Sequence, residues 1–353
     1  MHRKLRTARR HAGFSLVEMM IGLVIGMIAV IVMMQVFSVS EGYKRTTTGG
    51  DDAQNNGAIA LYALQRDLRQ SGLGASSIQT IGCNVTLRAG VTLNSMTPVT
   101  INHASIPAGD AGDTLLVFYG NGPGSAEGEK VEAKPTLASY TVAAAAPSAS
   151  APGAFAVGDQ VIAQLQPRPA PCNLMVEPVT AVAGTTVTVA TGVANVNGIL
   201  YNVGPAPRVL AYAVRGGNLT MCDYIANDCS VAGSVSNPAI WVPIGSNIVT
   251  LRAEYGRDTT APAMDATVDT FDQTAPTTAC GWARVSALRF ALVARSSELD
   301  KATVTAAAPT WAGAASSPID LSANSNWQRH RYKTFQTVVP LRNMAWQGAQ
   351  AGC

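Results

Sequence analysis

Residues 14–39 read FSLVEMMIGLVIGMIAVIVMMQVFSV. At about 1.5 Å of rise per residue this run makes roughly 39 Å of helix, enough to cross a bilayer. It contains one ionisable residue, Glu18. Ahead of it, Arg3, Lys4, Arg6, Arg9 and Arg10 form a basic block without an acid. The leader is therefore expected to stay cytoplasmic, and the remainder to be exported.

Three simpler readings of this run compete. A secretory signal peptide has a shorter apolar region closed by an A-x-A pattern, and none closes this one. A lipoprotein signal fails because the first cysteine is Cys83. A plain signal anchor explains the length and the charge bias but not Glu18. A carboxylate inside an apolar span is costly unless it is partnered, which makes it a functional residue by default.

The segment Arg9-Arg10-His11-Ala12-Gly13-Phe14-Ser15-Leu16-Val17-Glu18 resembles the prepilin cleavage and methylation motif of type IV pilins and type II secretion pseudopilins. The resemblance implies cleavage between Gly13 and Phe14 by a membrane aspartic prepilin peptidase, then N-methylation of Phe14. Gly13, without a side chain, lets the backbone enter a narrow protease cleft. Glu18 is suited to pair with the amino-terminal ammonium of a neighbouring subunit, each charge relieving the other's desolvation in low dielectric. Major pilins carry a proline further along this helix, where this chain has Gln35. Its absence fits minor pilins and pseudopilins.

The whole chain of 353 residues is 47% hydrophobic and 13% charged, which suits a folded protein with a sizeable core. Its formal charge of +3 is concentrated in the leader. Taking those five cations from the 25 Lys and Arg leaves 20, against 22 Asp and Glu, a charge of −2. That balance offers no general attraction for nucleic acid. Six cysteines, Cys83, Cys172, Cys222, Cys229, Cys280 and Cys353, contain no CxxC, and an even count behind an export signal favours disulfides. Six cysteines allow fifteen pairings. Only Cys222 with Cys229, closing a short loop, stands out as a candidate, and buried free thiols are the alternative.

Beyond the apolar run the period stays helical. Ala58, Leu61, Leu64 and Leu68 share a face, Asp51 and Asp52 are candidate N-caps, Gly49-Gly50 interrupts, and Gly72 is a stop. This predicts one long helix, kinked near residues 42–50, whose second half packs on a head. After Gly74 the period becomes two, with strands expected at 114–119, 160–165, 185–190, 208–214, 248–255, 283–294 and 332–341. Residues 143–154, AAAAPSASAPGA, read as a linker or surface loop, and 257–281 and 302–326 as long loops.

A helix followed by strands predicts an α+β fold, with a transmembrane and amphipathic helix packed on an antiparallel β-rich head. The expected parts are a leader at 1–13, a transmembrane segment at 14–39, an amphipathic continuation at 40–74 and a head at 75–353. Within the head, GDTL at 112–115, GDQVI at 158–162, IVTLRAEYG at 248–256, WARV at 282–285, LRFALVAR at 288–295 and VVPLRN at 338–343 are similar, in order and spacing, to the PilW-type minor pilins.

Enzyme motifs fail. Of the four histidines, His2 and His11 lie in the leader, and His103 and His330 lack partners at catalytic or metal spacing. No GxSxG, HExxH or Walker A sequence occurs, and Gly-Asn-Gly-Pro-Gly at 120–124 reads as a turn. Glu254, Asp258, Asp265, Asp269 and Asp272 would gather around calcium only if their loop folded back, and they lack EF-hand spacing. Arg329, Arg331 and Lys333, read as a strand, would line one face opposite His330 and Tyr332.

These readings predict a non-catalytic minor pilin without a cofactor. The resemblance implies a single-pass protein of the bacterial inner membrane with a periplasmic head, passing into an assembled pilus of the kind that serves adhesion and twitching motility. Its implied partners are the prepilin peptidase, other minor pilins, the major pilin and the inner-membrane assembly platform. A type II secretion minor pseudopilin, and a pilus-borne adhesin binding DNA or a surface, are the alternatives.

Overall fold

The computed structural model describes residue 13 and residues 15–74, 76–122, 128–142, 155–194, 197–345, 348–350 and 353. Phe14, Pro123 and Gly124 of the GNGPG turn, and the 143–154 stretch lie outside them. Contacts divide the chain into two units, Met1–Gly50 and Asp51–Cys353.

A single helix, α1 (Leu16–Gln70), is assigned through Gly49-Gly50, and Asp51 and Asp52 stand inside it as ordinary helical residues. The expected interruption and N-caps are therefore corrected. Glycine in a helix interior costs about 1 kcal/mol relative to alanine, which weakens a helix without ending it. Asp52 instead accepts a hydrogen bond from Ser297 Oγ at 3.2 Å. The helix stops where expected, with Gly72 at φ +81° and its N–H bonded to the Phe118 carbonyl at 2.8 Å.

From Asp51 onward the buried stripe is Ala53, Gly57, Ala60, Leu64, Asp67 and Leu68, while Ala58 is exposed and Leu61 half-buried. The true face thus lies to one side of the expected one. Small residues in its first half let the helix approach the sheets closely. A Cβ on Gly57 would stand 2.1 Å from the Phe335 ring, and one on Gly245 would stand 2.7 Å from the Ala60 methyl.

Seventeen strands follow among the described residues. They are β1 (Cys83–Arg88), β2 (Val91–Met96), β3 (Val99–Ile101), β4 (Leu115–Tyr119), β5 (Glu129–Thr136), β6 (Ser139–Val142), β7 (Gln160–Leu165), β8 (Asn173–Ala183), β9 (Thr186–Val189), β10 (Gly198–Gly204), β11 (Arg208–Arg215), β12 (Asn218–Asp223), β13 (Val242–Gly245), β14 (Ile248–Arg257), β15 (Thr270–Asp272), β16 (Val285–Arg295) and β17 (Tyr332–Pro340). Two short helices, α2 (Ala279–Ala283) and α3 (Arg342–Ala345), flank β16 and β17. All seven expected strands form, but β16 starts only after α2, whose Thr278 N-cap accepts the Gly281 N–H. The unforeseen strands are short, or carry glycine, proline or several charges, as in EKVEAKPT of β5 and NLMVEPVTAVA of β8.

Three sheets result, with orders β15-β14-β16-β17, β13-β12-β11-β4-β3 and β2-β1-β8-β7-β10-β5-β6-β9. Strand pairs are antiparallel except β1 with β8. In the largest sheet β9 also pairs with β8, so β8, β7, β10, β5, β6 and β9 close into a six-stranded ring. The ring encloses its own core of Val131, Tyr140, Val142, Phe155, Val161, Val179, Val187, Val189 and Leu200. It is inserted between β4 and β11, which pair directly, Tyr119 opposite Arg208.

The buried face of α1 packs with Leu115, Val117, Tyr212, Leu251, Tyr255, Leu288, Phe290 and Leu292 in the main core. The long loop at 302–326 is also more than a surface loop, since Trp311, Ile319 and Leu321 cover Ala291 and Val293 of β16. Disulfides join Cys83 to Cys172, Cys222 to Cys229 and Cys280 to Cys353, leaving no free thiol.

Candidate assembly site

Two stretches of α1 carry the chemistry. In the first, Ser15 precedes the helix and Glu18 stands in its first turn, with the Ser15 N–H 3.4 Å from Glu18 Oε2. Ser-x-x-Glu is the spacing of a capping box, a local use of Glu18 that the sequence reading missed. The contact is longer than a normal N–H···O bond, so it engages the carboxylate weakly. Glu18 is exposed, and every apolar side chain from Leu16 to Val39 is exposed with it. The helix is long and apolar enough to cross a membrane.

Gly13, Gly22 and Gly26 have no atom within 4 Å of where a Cβ would stand. Nothing among the described residues therefore requires glycine at these positions. Gly22 and Gly26 share one helix face at the small-xxx-small spacing that lets apolar helices approach closely. The four-residue interval was visible in the sequence, but its meaning depends on seeing both sites empty.

The second stretch holds the helix to the head. Asp67, buried, accepts hydrogen bonds from Tyr119 Oη on β4 at 3.1 Å and from Tyr212 Oη on β11, and Arg66 reaches it from the exposed side at 3.1 Å. Burial first, and then the Asp67 charge, push both tyrosine hydroxyls well above their ordinary range, so they remain donors. The helical pattern shows Asp67 only as a polar break in an apolar face. Its partners lie far away in sequence.

The acids considered for calcium serve structural roles. Glu254 is paired with Arg289 and bonded to Ser316. Asp258 accepts the N–H groups of Thr260, Asp265 and Ala266 at 2.7–2.9 Å, and Asp269 that of Thr259 at 2.7 Å. Asp272 holds Arg257 at 2.8 Å, and Asp265 accepts the Thr267 N–H at 2.8 Å. The basic row is corrected as well. Arg329 lies in a 3-10 turn before β17 and donates to the Asp300 carbonyl at 2.8 Å, while Arg331 pairs with the Asp300 carboxylate at 3.1 Å. His330 is buried on Ser296. No face with three free cations forms.

A basic N-terminal stretch, an exposed apolar helix with one acid in its first turn, and a β-rich head clamped on the second half of that helix together point to a pilin-like protein. The Prokaryotic N-terminal methylation motif model matches residues 8–34, and the Type IV Pilus-assembly protein W model matches residues 226–343. The two matches support a type IV pilus-related pilin, similar over residues 226–343 to the PilW family. Neither the curated proteins nor the solved structures contain a match to it. Residues 75–225, which include the six-stranded ring, fall outside both family matches.

Proposed function

We propose that this protein is a minor pilin that primes or caps a type IV pilus together with other minor pilins. Prepilin peptidase cleaves the leader, residues 1–13, between Gly13 and Phe14, and Phe14 is N-methylated. Residues 14–39 hold the mature chain in the inner membrane, 40–74 continue the helix, and the head from residue 75 stands in the periplasm. On the assembly platform the helix leaves lipid for a bundle of parallel helices, where apolar contacts with the major pilin and other minor pilins replace those with acyl chains. Glu18 pairs with the amino-terminal ammonium of a neighbour and sets the register of insertion. The protein acts as a structural subunit, without a catalytic step.

The observation that carries this reading is a lone exposed carboxylate at the head of an exposed apolar helix whose glycines Gly22 and Gly26 meet no neighbour among the described residues. The PilW match supports the pilus over a secretion filament. The test is mass spectrometry of the mature protein together with two variants. A methylated Phe14 terminus is expected, and Gly13→Leu should block processing. Glu18→Ala should be processed and inserted yet enter filaments poorly. A different terminus, or normal incorporation of Glu18→Ala, would refute the corresponding step.

A further inference from the structure

Exposed strand edges invite pairing with other chains, and folded proteins usually guard them. Four edges of this head are guarded. β2 has register shifts against β1 and a positive φ at Ser95. β3 has three residues, all buried. β13 carries Pro243 and ends on Gly245, close against Ala60 of α1. β15 has three residues and ends on Asp272, held by Arg257.

β17 differs. It pairs with β16 over nine residues, from Tyr332 opposite Arg295 to Pro340 opposite Ala287, without a register shift. Among the described residues no strand pairs with its other side, and no other backbone bond reaches residues 332–340. Between Lys333 and Pro340 it reads TFQTVV, free of charge, proline and glycine. On one face Phe335 stands against Gly57, and on the other Gln336 accepts the Ala312 N–H. Val338 remains 49% exposed. A long, regular, uncharged and open edge is a template for strand addition.

We propose that this edge receives an extended, uncharged segment of a different pilin-type subunit, which adds as a fifth strand beside β17. The proposal rests on the minor-pilin reading above. An uncharged partner follows from TFQTVV, which offers no charge to balance one brought to the edge. A non-identical partner follows from symmetry. Antiparallel pairing of β17 with a second β17 requires a two-fold axis across the sheet. That axis would make the Asp51–Gln70 portions of the two α1 helices run in opposite directions. Subunits drawn from one membrane into one filament keep them parallel.

The test is hydrogen exchange on the full chain in detergent, alone and in the complex it forms with co-expressed pilin-type subunits. Amides of residues 333–339 should slow by roughly tenfold or more in the complex. Val338→Lys should cut recovery of the complex about tenfold with an unchanged melting temperature, and Val338→Thr should not. Because the native cysteines are all paired, Val338→Cys supplies a single reactive thiol for cross-linking to the partner. If the complex forms and the β17 amides are unchanged, the inference is overturned and the minor-pilin reading stands. A homodimer cross-linked through Val338→Cys overturns it in favour of a second copy. Failure to form a complex with any pilin-type subunit overturns both.

Discussion

The two halves of α1 use the same residue types for opposite purposes. Beyond Gly50 a glycine is explained by its neighbours, as Gly57 sits under the Phe335 ring. Gly22 and Gly26 meet nothing among the described residues. An acid behaves the same way, since Asp67 is enclosed by two tyrosines and an arginine whereas Glu18 has one long contact to its own first turn. The second half is complete within the chain. The first half carries features that nothing among the described residues accounts for.

That contrast can be broken most forcefully at the disulfides, all of which lie in the head. Replacing Cys83 and Cys172 with alanine should cost the head about 4–5 kcal/mol, and replacing Cys222 and Cys229 about 2–3 kcal/mol, because the longer loop restrains the unfolded chain more. Denaturant titration in detergent measures both, and membrane retention of the apolar half should not change. Equal losses would remove loop length as the cause.

At the acids, Asp67→Ala should cost roughly 2–4 kcal/mol by leaving two buried hydroxyls without an acceptor. Glu18→Ala should leave the same titration unmoved. A shift with Glu18→Ala would erase the distinction between the halves.

At the glycines, Gly57→Ala should destabilise by about 1–3 kcal/mol, because the Phe335 ring must move. Gly22→Ala and Gly26→Ala should leave head stability unchanged and instead reduce incorporation into filaments. Thermal melting and filament yield read the two effects separately.

The smallest effect concerns pH. His103 is buried with Nε2 donating to the Asn94 carbonyl and Nδ1 accepting the Ser105 N–H, so it is held neutral. Burial lowers its pKa, partly opposed by the Asn94 bond. The unfolded chain then takes up the proton first as pH falls, so this contribution is whole above about 6.5 and is lost as pH drops towards the lowered value. The slope cannot exceed about 1.4 kcal/mol per pH unit for one such group. A His103→Gln variant should flatten that slope between pH 7 and 5, and an unchanged slope would assign it to other groups.

The sequence made the anchor legible because composition and spacing within some twenty residues suffice. A basic block, an apolar run and one acid in its first turn need no partner elsewhere to be recognised. The α+β class was legible for a similar reason, since the period changes from helical to alternating near Gly74. Strands such as β14 and β16, apolar over ten or eleven residues, announce themselves. β5, β8 and β10 do not, because their pattern is decided by pairing within the ring rather than by alternation along each strand.

What the sequence by itself determined, then, is the order of parts: a basic N-terminal stretch, an apolar helix, its helical continuation, a β-rich head. What only the tertiary structure decided is which residues are satisfied within the chain. The closure of β8 on β9, the partners of Asp67, the contact of Gly57 with Phe335 and the three disulfide pairings all join positions distant in sequence. The open edge of β17 belongs with them. An unpaired strand edge is defined by what lies beside it, and a local pattern of side chains carries no record of that.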